Sequence, residues 1–339
     1  MVCVDGARGR GEGGIPMRRA TGEIMAGVLG AALLLLNTAG YPQHFPTKPV
    51  RMLTGSVGSG SDLMSRNLGP QLSERWGQPV VIENRPQPVI HADIVAKAAP
   101  DGYTLLMGQF SSHASPPSLY KKLSYDPIND FAGITLVSKA ALVLIAHPSV
   151  PASNVQEFIA YAKNRPGEIL YAAQSGGSNG RLTMELFSKR AGLDMRYVPY
   201  RGPAFSLSAV LAREAEVSFL TVMAALPQVK AGKLKGFAVT SGKRFAGAPE
   251  IPTMIESGIA DFESTVWFGV FAPARTPAAL VNKLNRDMVE ILNRPSVQAA
   301  LLAQGADVTP GTPDELMAFV KSEIKKWGQV IREIGIQLQ

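Results

Sequence analysis

At 339 residues, with 46% hydrophobic and 18% charged side chains, the chain has a globular composition and room for two ordinary domains, which excludes a disordered or fibrous molecule. Lys and Arg number 34 against 27 Asp and Glu, and the resulting +7 is spread without a long basic run, so nucleic acid is not an expected partner. A mildly basic body suits an anionic ligand but does not select one.

Near the N-terminus, Met17-Arg18-Arg19 precedes an apolar run from Ile24 to Leu36, then the small, turn-prone Asn37-Thr38-Ala39-Gly40. A charged start, an apolar core and a small-residue end are the parts of a secretory signal, and they predict a leader over residues 1–40, cleaved near Ala39 or Gly40. A membrane anchor is the competing reading, but the run is shorter than the roughly 20 residues a spanning helix needs. The segment before Met17 reads as an over-extended start. The single cysteine, Cys3, lies in the leader, so the exported chain is expected to have no disulfide and no thiolate chemistry.

Downstream, strand-like and helix-like segments alternate. Lys48–Leu53, Pro79–Glu83 and Tyr103–Met107 read as strands, with helices at Asp62–Trp76 and Ala92–Ala98 between them. Gly69-Pro70 predicts a kink in the first helix, because proline removes a backbone donor. Ile134–His147 holds two apolar runs split by Ser138-Lys139. Helices follow at Asn154–Asn164 and Arg181–Ala191, and strands at Leu170–Ala173, Val217–Thr221 and Phe237–Thr240. After Ala278 the pattern turns helical, over Ala278–Asn293, Ser296–Gln304 and Pro313–Ile334, the last an amphipathic helix carrying Trp327. The βαβα order predicts an α/β fold with a parallel sheet flanked by helices.

Two Gly/Ser-rich loops echo each other at strand ends: Gly55 to Asp62, and Ser175 to Gly180. Loops at the carboxyl ends of strands are where open α/β sheets bind ligands. Gly58, Gly60 and Ser61 offer unpaired N–H groups at a helix start, suited to a carboxylate, and Ser59 and Asp62 belong to the same candidate site. The same stretch also fits an ordinary turn with Ser61 or Asp62 as N-cap. Asp62 itself suits a cap, or an acceptor for a ligand hydroxyl or ammonium. Ser175, Gly176, Gly177, Ser178 and Asn179 repeat the device, and Arg181 either adds a charged fork or lies solvated on the surface. Tyr200 and Arg201 fall in a turn ending at Gly202, and Ser111, Ser112 and His113 follow a strand, with a structural histidine the alternative for His113.

Catalysis finds no matching pattern. His44, His91, His113 and His147 are scattered without metal-ligand spacing, Gly58-x-Gly60 lacks the third glycine of a dinucleotide loop, and no Gly-Lys-Ser/Thr follows either loop. The chain is expected to be no enzyme and to hold no metal or cofactor.

Several stretches are shared, in one order, with a known family: Phe45–Arg51 (FPTKPVR), Gly77–Pro86 (GQPVVIENRP), Lys97–Leu106 (KAAPDGYTLL), Tyr125-Asp126-Pro127, Val198–Gly202 (VPYRG), Lys230–Leu234 with Ala238–Ser241, and Trp267–Gly269 through Ala272-Pro273. The chain resembles the substrate-binding receptors of tripartite tricarboxylate transporters, the Bug group of periplasmic proteins. That resemblance implies a type II periplasmic-binding-protein-like α/β fold, with two α/β lobes joined by two crossing strands and a ligand cleft between them. Lobe 1 is then 44–143 plus 268–339 and lobe 2 is 144–267, with crossings at Val143–His147 and Trp267–Ala272. It further implies a monomeric receptor in the periplasm, a small organic acid as ligand, and the membrane components of a tripartite tricarboxylate-type transporter as partners. A ligand-sensing partner of a membrane kinase would share the fold.

The chain departs from the family pattern at the loops. Val57 and Ser59 stand where a proline and a glycine are usual, and Gln87–His91 replaces a longer glycine-rich loop. Ser218 stands in place of an acidic residue, Thr221-Val222 in place of an Asp-Asn pair, and Arg181 where histidine is more usual.

Overall fold

The computed structural model describes residues 45–174 and 176–336. The expected leader, Cys3, His44 and Ser175 lie outside the described residues. From Pro46 onward the chain packs as one compact unit.

The first βα series runs β1 (Val50–Thr54), α1 (Gly60–Trp76), β2 (Val80–Asn84), α2 (Pro88–Ala96) and β3 (Thr104–Gln109), followed by the single turns α3 (Phe110–His113) and α4 (Pro116–Leu119). β4 (Phe131–Ala146) leads into the second series: α5 (Val155–Lys163), β5 (Leu170–Gln174), α6 (Asn179–Ala191), β6 (Arg196–Tyr200), α7 (Pro203–Leu211), β7 (Val217–Thr221), α8 (Val222–Lys230) and β8 (Lys235–Val239). The chain returns through β9 (Thr265–Pro273) and ends in α9 (Ala278–Leu292), α10 (Pro295–Ala303), β10 (Asp307–Val308) and α11 (Pro313–Ile334).

All ten described strands join in one sheet, in the order β2-β1-β3-β9-β4-β7-β5-β6, with β8 and β10 also paired to β4. β2-β1-β3 pair in parallel, as do β6-β5-β7, whereas every pairing of β4 and β9 is antiparallel. β4 changes partners along its length. Phe131–Ala141 pairs with β9, and Leu142–Ala146 with β7 and β8.

The central strands read as apolar runs because both faces are covered. In β1, Val50, Met52 and Leu53 are buried, as are Leu105, Leu106 and Met107 in β3. β4 is one strand of 16 residues rather than two runs. Ser138-Lys139 does not break it: Ser138 Oγ lies 3.2 Å from Met64 Sδ, and the Lys139 ammonium covers the Phe319 ring at 4.2 Å. α1 likewise runs unbroken through Gly69-Pro70, where Gly69 packs closely on Ile82. α11 places Leu316, Val320, Trp327 and Ile331 on the core side and starts in a Thr312–Glu315 capping box.

The end of α1 is tied to α9 through one carboxylate. Asp287 accepts from Arg75 Nε at 2.9 Å, Trp76 Nε1 at 2.8 Å and Lys283 Nζ at 2.6 Å, and its side chain is only 9% exposed. Removing it strands charged donors in a partly buried gap. Asp287→Ala is expected to lower unfolding free energy by about 1–3 kcal/mol. Arg51→Ala, which breaks the exposed Arg51–Glu83 pair, is expected to cost less than about 1 kcal/mol. Urea unfolding of both variants checks the contrast; equal losses would show that Asp287 is no anchor.

Candidate functional site

A cavity of ≈ 280 Å³ opens where the parallel strands end. Its wall takes residues from the loop after β1 (Gly55, Ser56, Gly58, Ser59, Gly60), from after β2 (Pro86, Pro88), and from the end of β3 and α3 (Gln109, Phe110, Ser111). The second series contributes Gln174, Ser178, Asn179 and Gly180 after β5, Pro203, Ala204 and Leu207 after β6, and Thr221, Met223 and Ala224 after β7. Leu142 of β4 and Val266 and Phe268 of β9 complete the wall between the two series.

In a βα unit a strand's carboxyl end is followed by a helix's amino end, so this wall is also where helices begin. Five helices of nine or more residues start here (α1, α2, α6, α7 and α8), as does the single turn α3. Each long helix brings a partial positive charge and unpaired first-turn N–H groups. No Lys, Arg, His, Asp or Glu is among the described lining residues. The field in the cavity therefore comes from backbone.

The first loop is held from behind. Ser59, not Ser61 or Asp62, is the N-cap of α1, and its Oγ accepts from the Asp62 N–H at 3.4 Å. Asp62 is buried and turned away from the cavity, accepting from Gly58 N–H at 2.9 Å, Arg66 Nε at 3.0 Å and Asn84 Nδ2 at 2.8 Å. Burial works to raise its carboxyl, and these hydrogen bonds outweigh it, holding the group below the usual carboxylate range. Ser61 is fully buried and accepts from Gly55 N–H through Oγ at 3.2 Å. Gly58 N–H and Ser59 N–H are thus spent on Asp62 and on Ser56 O, while those of Gly60 and Ser61 meet no protein acceptor among the described residues.

The second loop repeats the arrangement. Ser178 caps α6, accepting from Arg181 N–H at 3.4 Å and donating to Gln174 O at 2.8 Å. The N–H groups of Asn179 and Gly180 are left without a protein acceptor among the described residues. Both polar atoms of Asn179's side chain are engaged: Nδ2 donates to Thr265 O at 3.0 Å, and Oδ1 accepts from Thr183 and Ser264 hydroxyls, both at 3.0 Å. It ties α6 to the start of β9.

Of the residues expected at a site, Gly58, Ser59, Gly60, Ser111, Ser178 and Asn179 are brought together on this wall. Ser175 lies outside the described residues, and the others are not among the lining residues. Gly176 takes a left-handed φ of +77°, and Gly177 is wedged against Leu119 of α4, where an added Cβ would come within 2.0 Å. Arg181 folds back, its guanidinium 4.3 Å from the Tyr197 ring centre and its Nη1 3.3 Å from Gly176 O. Tyr200 ends β6 rather than sitting in a turn and donates to Glu214 at 3.1 Å, and Arg201 is exposed. Ser112 closes the turn of α3 on Gln109. His113 is a core residue, fully buried and stacked on Phe271 at 4.1 Å.

Gln109, Gln174 and the aromatic wall of Phe110, Phe219 and Phe268 were not expected at the site, whereas Thr221, a departure from the family pattern, is among the lining residues. Both glutamines are the last residue of a strand, where a polar side chain reads as punctuation. Phe219 and Phe268 sit within mostly apolar runs that read as ordinary core, and Phe110 stands alone between Gln109 and Ser111.

The loop geometry separates two glycines. Gly60 sits against Phe268, where a Cβ would lie 2.5 Å from the ring edge, so its role is close approach and not a positive φ. Gly58 has φ +75° and open space around it. Gly60→Val is therefore expected to push the Phe268 ring into the cavity and abolish ligand binding. Gly58→Ala is expected to cost stability of about 1 kcal/mol through backbone strain while keeping binding. Calorimetric titration and thermal unfolding of the pair check this; wild-type binding by Gly60→Val would show that the loop is only a turn.

Burial governs two histidines beside the site. It drives the His91 imidazole down to about 4 and that of His113 to about 3, where the neighbouring His91 adds to the effect. In the unfolded chain both titrate near pH 6.5, so the unfolded state takes up protons that the native state refuses. Stability present above that pH is lost as pH falls below it. Unfolding free energy is expected to drop between pH 7.5 and 5 by up to about 1.4 kcal/mol per pH unit for each histidine. His113→Gln is expected to flatten that slope, and an unchanged slope would show that His113 does not carry it.

A cavity built at the carboxyl ends of two parallel strand groups, walled by backbone and free of charged side chains, defines an α/β ligand-binding protein. The family of tripartite tricarboxylate transporter receptors matches over residues 64–336, and the chain belongs to it. Among curated proteins, it is 34% identical to the protein BugT of Bordetella pertussis, over 87% of this chain and 92% of BugT. A UPF0065 protein of the same organism is 32% identical over 91% of this chain and 96% of its own. Among solved structures, R. palustris Rpa4515 with adipate superposes with a TM-score of 0.83 at 32% identity, covering 86% of this chain and 99% of that one. MatC (Rpa3494) from Rhodopseudomonas palustris with bound malate gives 0.79 at 29% identity, over 85% of this chain and 100% of its own. The periplasmic binding protein BugD gives 0.80 at 31%, over 87% and 100%. The expected α/β receptor fold holds.

Proposed function

We propose that this chain is a periplasmic receptor that captures a small organic carboxylate and presents it, unchanged, to the membrane components of a tripartite tricarboxylate-type transporter. The observation that carries the reading is that N–H groups with no protein acceptor among the described residues, that of Gly60 from one βα series and those of Asn179 and Gly180 from the other, belong to the wall of a cavity with no charged side chain among its described lining residues. Backbone donors at helix starts recognise a carboxylate by geometry. Membership of a receptor family supports the reading, as do the adipate and malate held by two relatives. Two carboxylates on one ligand would engage both loops, and a single one would engage either.

The cavity draws on both βα series, which are joined by the central strands and also touch where Ser115 Oγ donates to Gly177 O at 3.0 Å and Leu119 lies against Gly177. In this reading the two series are the lobes, the first completed by α9 to α11. β4 changes partners at Ala141–Leu142, and the chain returns to the β4–β9 pairing at Thr265; in this reading the hinge falls at these two points. A ligand bound by both series stabilises the closed state through contacts from each side. The exported chain begins after residue 40 and acts as a monomer.

Titration with adipate, succinate, malate and benzoate is expected to show saturable binding of at least one acid, returned intact. Small-angle scattering on that complex is expected to show a smaller radius of gyration than the free protein. Thermal shift gives a second reading, since a ligand at 100 times its Kd stabilises by about 2.7 kcal/mol. Absence of binding across organic acids, or turnover of a bound one, would overturn the proposal.

A further inference from the structure

We infer that this receptor selects acids with a hydrocarbon body, and discriminates against hydroxy acids, amino acids and tricarboxylates of the same length. The inference deepens the carboxylate reading and rests on it. It comes from what the walls between the N–H groups of the two series are made of.

Those walls are apolar from both sides. Phe110, Phe268 and Leu63 face the cavity from the first series and the central strands, and Phe219, Leu207 and Met223 from the second. The two charged side chains nearest the loops in sequence are spent elsewhere, Asp62 on Arg66 and Asn84, and Arg181 on Tyr197 and Gly176 O. Apolar side chains also flank the lining in sequence: Val57, between Ser56 and Gly58, is 75% exposed, and Phe205, after Ala204, is 58% exposed. At ≈ 280 Å³ the space is near the low end for small-molecule pockets, so most of a bound ligand must touch these walls.

Each competing ligand class meets a specific penalty here. An α-ammonium would be desolvated with no carboxylate among the lining residues to pair with it, in a field made positive by helix starts. A third carboxylate would need a cation, and none is among the described lining residues. A hydroxyl is penalised less, because the carboxamides of Gln109 and Gln174 and the hydroxyls of Ser56, Ser111 and Thr221 remain polar points on the wall. A saturated or aromatic hydrocarbon body loses nothing and gains contact with the phenylalanine rings.

Matched acids that differ only at the α-carbon test this directly. Titrations would use the succinate, malate and aspartate series, the adipate and 2-aminoadipate pair, and the 3-phenylpropanoate, phenyllactate and phenylalanine series. In every series that binds, the unsubstituted acid is expected to bind tighter than its hydroxy analogue by roughly tenfold to a hundredfold. The amino analogue should be weaker still, and citrate should not bind. Thr221→Asp tests the cause: aspartate is a favourable N-cap for α8, so the fold should survive, and it adds the missing acidic wall group. The preference for succinate over aspartate should then fall by about tenfold or more. Tighter binding of malate or aspartate by the wild-type protein, or an unchanged preference in Thr221→Asp, would overturn the inference while leaving the receptor reading intact. If no carboxylate binds at all, the receptor reading itself fails.

Discussion

Everything in the site depends on the polarity of the βα unit. A parallel strand delivers its carboxyl end, and the amino end of the following helix, to the same edge of the sheet. Five such junctions and the end of β3 converge on one cavity, so helix dipoles of one sign accumulate there without any charged side chain. That arrangement resolves a difficulty that an arginine would create. A buried guanidinium must be paired when the ligand is away, whereas unpaired first-turn N–H groups in an open cavity remain hydrated and carry only partial charge.

The two central strands give the arrangement its mechanical character. β4 belongs to both strand groups, and β9 pairs with β4 on one side and β3 on the other. Their middle residues are buried on both faces, and Trp267, Phe268, Val270 and Phe271 of β9 are all core. The register of β4 against β9 slips near Gly133–Thr135 and again near Leu136–Ser138. Bulges of this kind bend and twist a strand locally. Phe268 couples this spine to the ligand wall, since the same ring that lines the cavity sits against Gly60 at the start of α1.

The alternation of elements is legible in the sequence, with strand ranges mostly within one or two residues, because apolar runs between Gly/Pro punctuation leave few alternatives. Legibility fails where punctuation and tertiary packing conflict. β6 is absent from the expected strands because Arg196–Tyr200 carries Pro199 and no fully buried side chain, yet it pairs along its whole length with β5. Ser138-Lys139 reads as a break, but the lysine stem can lie over Phe319 while the backbone keeps its pairing with β9 and β10. At the site, the loops are legible because Gly/Ser runs at strand ends have a backbone reason to exist. Side-chain direction is not. Arg181, Tyr200 and His113 each lie within three residues of a lining residue, and each points into a partner that is distant in sequence or hidden by the local pattern. Conversely, Gln109 and Gln174 reach the cavity only because the strands they end do so together.

Asp62 shows how closely the free N–H groups are guarded. A carboxylate in the first turn of a helix ordinarily satisfies the helix's own donors and saturates its dipole. In this position that would compete with the ligand for the same charge. Here the carboxylate is drawn backwards by Arg66 and Asn84 and takes Gly58 N–H from outside the helix, while the weaker acceptor Ser59 Oγ serves as N-cap. The nearest negative charge is thereby neutralised by a cation on its own helix, one turn along. What is left facing the cavity is Gly60, with no side chain, and its unclaimed N–H. The loop is thus organised so that its strongest acceptor fixes the backbone and leaves the site's donors to the ligand.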